Sequence, residues 1–277
     1  MTDAINIRAS SIASIIDCPL RGLSIALGYV KSLPSTAPAC IGTACHEGTA
    51  AFDKAKLDGC PISADDAAGV MVDLIWHPEQ EVYWGRTTQK EAERRALGVL
   101  TRYCSDIAPT IEYKDIELSL APMVVEVEGI EIELTGTLDR IYNEFEPNII
   151  VTNEAEIHET PTGRSGILDI KTGARVCSTK PGKHKGQIAV YEILAEHTTG
   201  QSMTAPGLIG QLQTSSEYQV DVKPVANARE ALVGNDEHIG LLHHIARMLK
   251  SGDFYGNSSS WLCSDKYCAL YNDCIFK

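Results

Sequence analysis

The apolar pattern changes character near Ile111, and that change constrains the fold of this 277-residue chain more than any other feature. Before it, apolar residues recur at helical spacing. A helix is expected in SIASIID, with Ser10 and Ser11 at its N-cap, and another in LRGLSIALGYV after the Cys18-Pro19 break. SLPSTAPA reads as a connector, and further helices are expected over residues 42–57, 65–76 and 88–104. The small residues Ala44, Ala50 and Ala51 let the first of these pack closely. After Ile111, the segments IEYKDIELSLA, MVVEVEGIEIELTGTLDRIYN and GILDIKT alternate or run apolar, as strands of one sheet do.

EVEGIEIE predicts a hairpin turning at Gly129. Residues 143–165 read as a long link holding one strand, NIIVTN, and a polar tip, HETPTGR. HKGQIAVYEILAEH predicts a helix, PGLIGQLQT and EYQVDVK predict strands, and residues 226–250 predict one long helix. The order of elements predicts a single mixed α/β domain over 1–277. Its parts are a mainly helical stretch over 1–106, a core over 111–222 and a C-terminal helix with a cysteine-bearing segment over 223–277.

Composition narrows the function classes. A 44% hydrophobic content suits a globular chain, and no run of 18 apolar residues predicts a membrane span. MTDAINIRASS lacks the basic region and apolar core of a signal peptide, so a cytoplasmic location is expected. In that compartment the nine cysteines are not expected as disulfides, and some become metal-ligand candidates. A net charge of −13 argues against non-specific coating of nucleic acid. Locally, Arg164, Lys171, Arg175, Lys180, Lys183 and Lys185 face a single acid, Asp169, which suits phosphate contact.

The chemistry-bearing residues fall on these elements. Asp139 in GTLDRIYN and Asp169 in GILDIKTGAR sit on expected strands, where paired carboxylates can hold Mg2+ or a similar hard cation. Lys171 follows Asp169 by two residues and so shares its strand face. An ammonium beside a metal-held phosphate is the chemistry of assisted phosphodiester hydrolysis. His46 in IGTACHEGTA is a candidate imidazole ligand for an ion such as Mn2+, and Glu47, rotated by about 100°, faces solvent. Gln187 and Tyr191 share a helix face at i, i+4, suited to contacts with phosphates and bases. Glu117 in DIELSLA offers a further acidic ligand, but glutamates are common at sheet edges, and it reads as one of those.

Cys263, Cys268 and Cys274 lie within the last fifteen residues, at gaps of four and five residues. Cys18, at a helix break, is the best fourth ligand. Cys40, Cys45, Cys60, Cys104 and Cys177 read as small core residues. Four thiolates fit either a 4Fe–4S cluster or zinc. One distant cysteine with three clustered ones suits iron–sulfur better, though spacing alone leaves both open.

Together these motifs resemble the PD-(D/E)XK nuclease superfamily, in its RecB-like iron–sulfur exonuclease branch. That branch includes nucleases of CRISPR spacer acquisition and recombinational DNA processing. SSIASIIDCPLR, GTACHEGTA, GTLDRI, LDIKTG, GQIAVY and the terminal cysteines carry the resemblance in order over nearly the whole chain. It implies a restriction-endonuclease-like mixed central sheet flanked by helices, with a helical N-terminal elaboration and a cluster joining the two chain ends. It implies that His46, Asp139, Asp169 and the Ile170 carbonyl bind Mg2+ or Mn2+. Lys171 becomes the catalytic lysine, Gln187 and Tyr191 the supporting QxxxY motif, and Cys18, Cys263, Cys268 and Cys274 the 4Fe–4S ligands. The branch commonly has two residues in the first tail gap, where this chain has four.

The expected function is a metal-dependent DNA exonuclease acting on single strands or ends. Its expected partners are DNA and the proteins of recombination or CRISPR adaptation, with no membrane. The competing readings are a DNA-binding subunit with weak or no cleavage, a zinc-stabilised nuclease and a hydrolase of small phosphate esters.

Overall fold

The computed structural model describes residues 4–31, 33–151, 155–174, 181–215 and 217–277. Arg175, Cys177 and Lys180 lie outside the described residues, as do Thr152 and Asn153 of the expected NIIVTN strand.

Four longer helices carry the N-terminal part: α2 (Pro19–Ala26), α3 (Ala37–Leu57), α4 (Ala64–Trp76) and α5 (Gln89–Asp106). The short α1 (Ile12–Asp17) precedes them. Ser11 occupies the cap position of α1, but its side chain makes no capping bond, and a 3-10 turn over Ala9–Ser11 leads into the helix instead. Ser63 does cap α4, in a reciprocal box with Asp66.

The central sheet holds β4 (Glu112–Ser119), β7 (Thr137–Val151), β8 (Ala155–Gly173), β9 (Gly207–Gln213) and β10 (Val220–Val225). Its order is β10-β9-β8-β7-β4. β8 and β9 run parallel while the other neighbours run antiparallel, so the sheet is mixed. Both faces are covered. Ile141, Ile167 and Ile209 join a core with Ile188, Val190 and Leu194 of α6 (Lys185–Thr199). Leu168, Ile170 and Leu212 point the other way, into a core with Ile41, Met71 and Leu100 of α3, α4 and α5. Near-continuous apolar runs in β8 and β9 follow from this double burial.

Three expectations are corrected. The strands after Ile111 form two sheets, because β5 (Met123–Val127) and β6 (Ile130–Thr135) pair with β1 (Ile5–Arg8) instead. β1 runs parallel to β6, and Ile7, Ile132 and Leu134 bury against the α6 core. The link over 143–165 is not a loop with a polar tip. β7 and β8 extend through it as one antiparallel ladder, from Arg140↔Leu168 to Val151↔Ala155, with one irregularity between Asn143 and Phe145. The expected helix over 226–250 divides into α7 (Ala228–Val233) and α8 (Leu241–Ser251). Gly234 adopts φ +89°, a conformation that ends a helix and that side chains rarely adopt. A further short parallel pair joins β2 (Ser35–Thr36) to β3 (Val82–Tyr83). No helix among the described residues is long and apolar enough to cross a membrane.

Candidate metal centre

The centre forms where β7 and β8 part. Their register begins at Arg140↔Leu168, and from Leu168 to Gly173 β8 pairs along its other edge with β9. The Ile170 N–H is thereby free of β7 and donates instead to Asp139 Oδ2 at 2.5 Å. A side chain thus replaces a ladder bond and fixes the Asp139 carboxylate against β8. Across the cleft, His46 on α3 brings Nδ1 to 3.4 Å from Asp139 Oδ1.

Glu117 completes this corner. Among the described residues, His46, Glu117 and Asp139 are the group whose metal-ligating atoms all lie within 4.8 Å of one another. Sequence reading set Glu117 aside, and the structure brings it in. Its φ of 51° is left-handed, which breaks strand alternation in β4 and frees the side chain from the regular pattern. An imidazole and two carboxylates suit a hard or borderline divalent cation.

Asp169 lies beside this group, not within it. It is buried, and Gln187 Nε2 donates to its Oδ1 at 3.2 Å. Lys171 Nζ sits 2.6 Å from Asp169 Oδ2. That is an ion pair at hydrogen-bond distance, in which the ammonium covers the buried oxygen. Gln187 Nε2 also donates to the Tyr191 hydroxyl at 3.1 Å. The i, i+4 pair on α6 therefore acts on Asp169 through Gln187. Ile170 contributes its N–H, with its side chain buried in the α3 core.

The electrostatics separate the two aspartates. Burial pushes the Asp139 carboxyl up, but His46, Lys171 and the Ile170 N–H together hold it below the usual range. Burial also dominates at Asp169, where the nearby Asp139 charge adds to it; Lys171 and His46 only partly offset the rise. Burial lowers His46, yet Asp139 and Asp169 outweigh burial and Lys171 and raise it. For Glu117, burial and then Asp139 raise the carboxyl against Arg140 and His46.

Of the expected basic segment, Arg164 is already engaged by Glu144, and Lys171 by Asp169. Lys183 remains exposed and Lys185 half-buried beside the start of α6.

The four cysteines singled out in the sequence line one cavity, with Arg21, Asn257 and Tyr271. Cys263 belongs to it despite its unusual spacing. Burial, then the neighbouring Cys274, Cys268 and Cys18 thiols, push the Cys263 thiol up against the pull of Arg21. The sulfurs are set wider than the His46 group, since no three of them meet within 4.8 Å. Among the described residues, Cys40 and Cys45 are buried, as expected of core residues, whereas Cys60 is exposed and Cys104 half-buried.

No family model matches the chain, and no curated protein does. Among solved structures, it is similar to a protein from Eubacterium rectale named "Putative exonuclease", with a TM-score of 0.49 and 13% identity. That likeness covers 94% of this chain and 87% of that one. It is also similar to SSO0001, with a TM-score of 0.42 and 12% identity over 99% of this chain and 88% of that one. Likenesses this weak assign no role to any residue.

Proposed function

We propose that the chain is a divalent-cation-dependent deoxyribonuclease of the PD-(D/E)XK kind that acts on DNA ends. One observation carries this reading: His46, Glu117 and Asp139 converge within 4.8 Å beside the Asp169–Lys171 pair. Mg2+ or Mn2+ would be held by His46, Glu117 and Asp139, with Asp169 and the Ile170 carbonyl as the further ligands the family resemblance implies. A cation there supplies Lewis-acid chemistry to a phosphodiester. Lys171 offers an ammonium to negative charge growing on the phosphate. Gln187 and Tyr191 keep Asp169 in place, and Lys183 and Lys185 lie where a phosphate backbone would approach α6.

The cysteine cavity holds a 4Fe–4S cluster in this reading, through Cys18, Cys263, Cys268 and Cys274. One distant cysteine with three clustered ones supports the cluster over zinc. The cytoplasm, and the proteins of recombination or CRISPR adaptation, are the setting and partners this function would have.

The test is degradation of end-labelled single- and double-stranded DNA with Mg2+ or Mn2+, beside closed circular single strands. Metal-dependent loss of linear DNA, with circles spared, is expected and gives polarity and strand preference. Equal loss of circles removes the dependence on ends. If wild type cuts no better than Asp139→Ala, the enzyme reading fails.

A further inference from the structure

We propose that Arg140 is a positioning residue for the metal centre: one buried guanidinium fixes the three segments that carry His46, Glu117 and Asp139. This rests on the metal reading of that site.

Arg140 follows Asp139 on β7, and its side chain, like that of Asp139, reaches α3. It is fully buried. A buried charge persists only when its donors are matched, and here all of its nitrogens are. Nη1 donates to the Asp139 main-chain carbonyl at 2.8 Å and to Glu117 Oε1 at 3.1 Å. Nη2 donates to Thr49 Oγ1 at 3.2 Å. The Thr49 hydroxyl in turn donates to the main-chain carbonyls of Cys45 and His46, at 2.8 and 3.0 Å. Nε donates to Asp53 Oδ2 at 2.8 Å.

Each member of the ligand group is therefore reached by the same plane of atoms. Asp139 is held by its own carbonyl, Glu117 by its carboxylate and His46 through one hydroxyl. Glu117 needs such a partner most, because its left-handed backbone stays populated only when its surroundings hold it. The bond to Nη1 occupies Oε1 and leaves Oε2 for a cation. A lysine could not do this, since its ammonium lacks the rigid fork that spans three directions. Asp53 closes the network on the Nε side, where the Tyr103 hydroxyl donates to it and lies 2.8 Å from the Tyr113 hydroxyl. Among the described residues, the side chain of Ser63, which caps α4, bonds only Asp66 of its own helix and no ligand-bearing segment, so it serves as the control for stability alone.

The experiment titrates Mn2+ into the full chain and follows free Mn2+ by electron paramagnetic resonance, with melting midpoints measured in parallel. Thr49→Val and Arg140→Lys are expected to raise the Mn2+ dissociation constant about tenfold or more, as loss of a partner behind a metal ligand does. Thr49→Ser, which keeps the hydroxyl, restores wild-type affinity. Ser63→Ala lowers the melting midpoint without changing affinity. If Arg140→Lys does not fold, Thr49→Val carries the test. Unchanged affinity in Thr49→Val overturns the role of Arg140, and so does an equal loss in Ser63→Ala. Wild-type binding no tighter than that of His46→Ala overturns the metal reading itself.

Discussion

Asp139 and Asp169 share neighbours but are held at different acidities. Asp139 gains a main-chain donor and an imidazole, whereas Asp169 is sunk in the floor and gains less than burial removes. Ligation needs the deprotonated acid, so the better-exposed Asp139 is the group suited to take a cation first. Glu192 on α6 shows the same physics away from the centre. Burial, with Glu196 adding and Arg229 opposing, raises it to about 7 from an ordinary 4.5. The folded chain then keeps a proton that the unfolded chain has lost, and this contribution to stability falls as pH rises from about 4.5 to about 7. His184 gives a slope of the opposite sign between about 4 and 6.5, because burial, then Lys171 and Lys183, lower it. The two separate in a comparison of variants. Glu192→Gln should gain melting midpoint relative to wild type as pH is raised through that window, with His184 common to both. A constant difference across pH would contradict the assignment.

At the scale of elements, α3 is the part whose placement matters most. It carries His46, Thr49 and Asp53 and packs between β8 and α4. A Cβ added at Gly48 would come within 2.2 Å of the Met71 side chain, so α3 and α4 touch through glycine. Gly48→Ala should destabilise by about 1–3 kcal/mol through overpacking. Met71→Ala in the same chain should recover part of that loss, measured as a non-additive double-mutant cycle. Additive losses would mean the helices move apart freely. Much of this level was legible. The strand acids and Lys171 stood out because strand alternation places i and i+2 together, and Gln187 with Tyr191 because helical spacing does the same. Glu117 was set aside because glutamates are common at sheet edges; only the pairing of β4 with β7, through Ile116↔Arg140 and Leu118↔Leu138, shows that it lies across from Asp139. Arg140 was not legible, because an arginine inside a strand ordinarily signals an exposed face. The β7–β8 extension was hidden by Pro147, Pro161 and Gly163, which read as loop residues. The separate sheet was hidden because its partner, β1, is only four residues long and lies far away in sequence.

Across the whole molecule, the chain ends are brought together at the cysteine cavity. Leu20 N–H donates to the Tyr255 carbonyl at 3.0 Å, and Asn257 Nδ2 donates to the Asp17 carbonyl at 2.8 Å. Ser260 Oγ and Arg21 Nη2 both donate to Asp17 Oδ2, at 2.6 and 3.0 Å. These bonds bring Cys18 to the terminal cysteines without a cofactor, and a bound group would add its own binding energy to the closure. Cys18→Ser should lose bound iron and lower the melting midpoint, checked by iron analysis beside a thermal scan. Equal iron content and midpoint in wild type and variant would remove the cluster from the account. At the metal centre, Lys171 is placed as a group that serves the reaction without holding the cation. Its test is Lys171→Ala, assayed for Mn2+ binding and for cutting of linear DNA in one preparation. Wild-type Mn2+ affinity with cutting reduced about 100-fold or more is expected, the scale for losing one donor to transition-state charge. Cutting at the wild-type rate would contradict it.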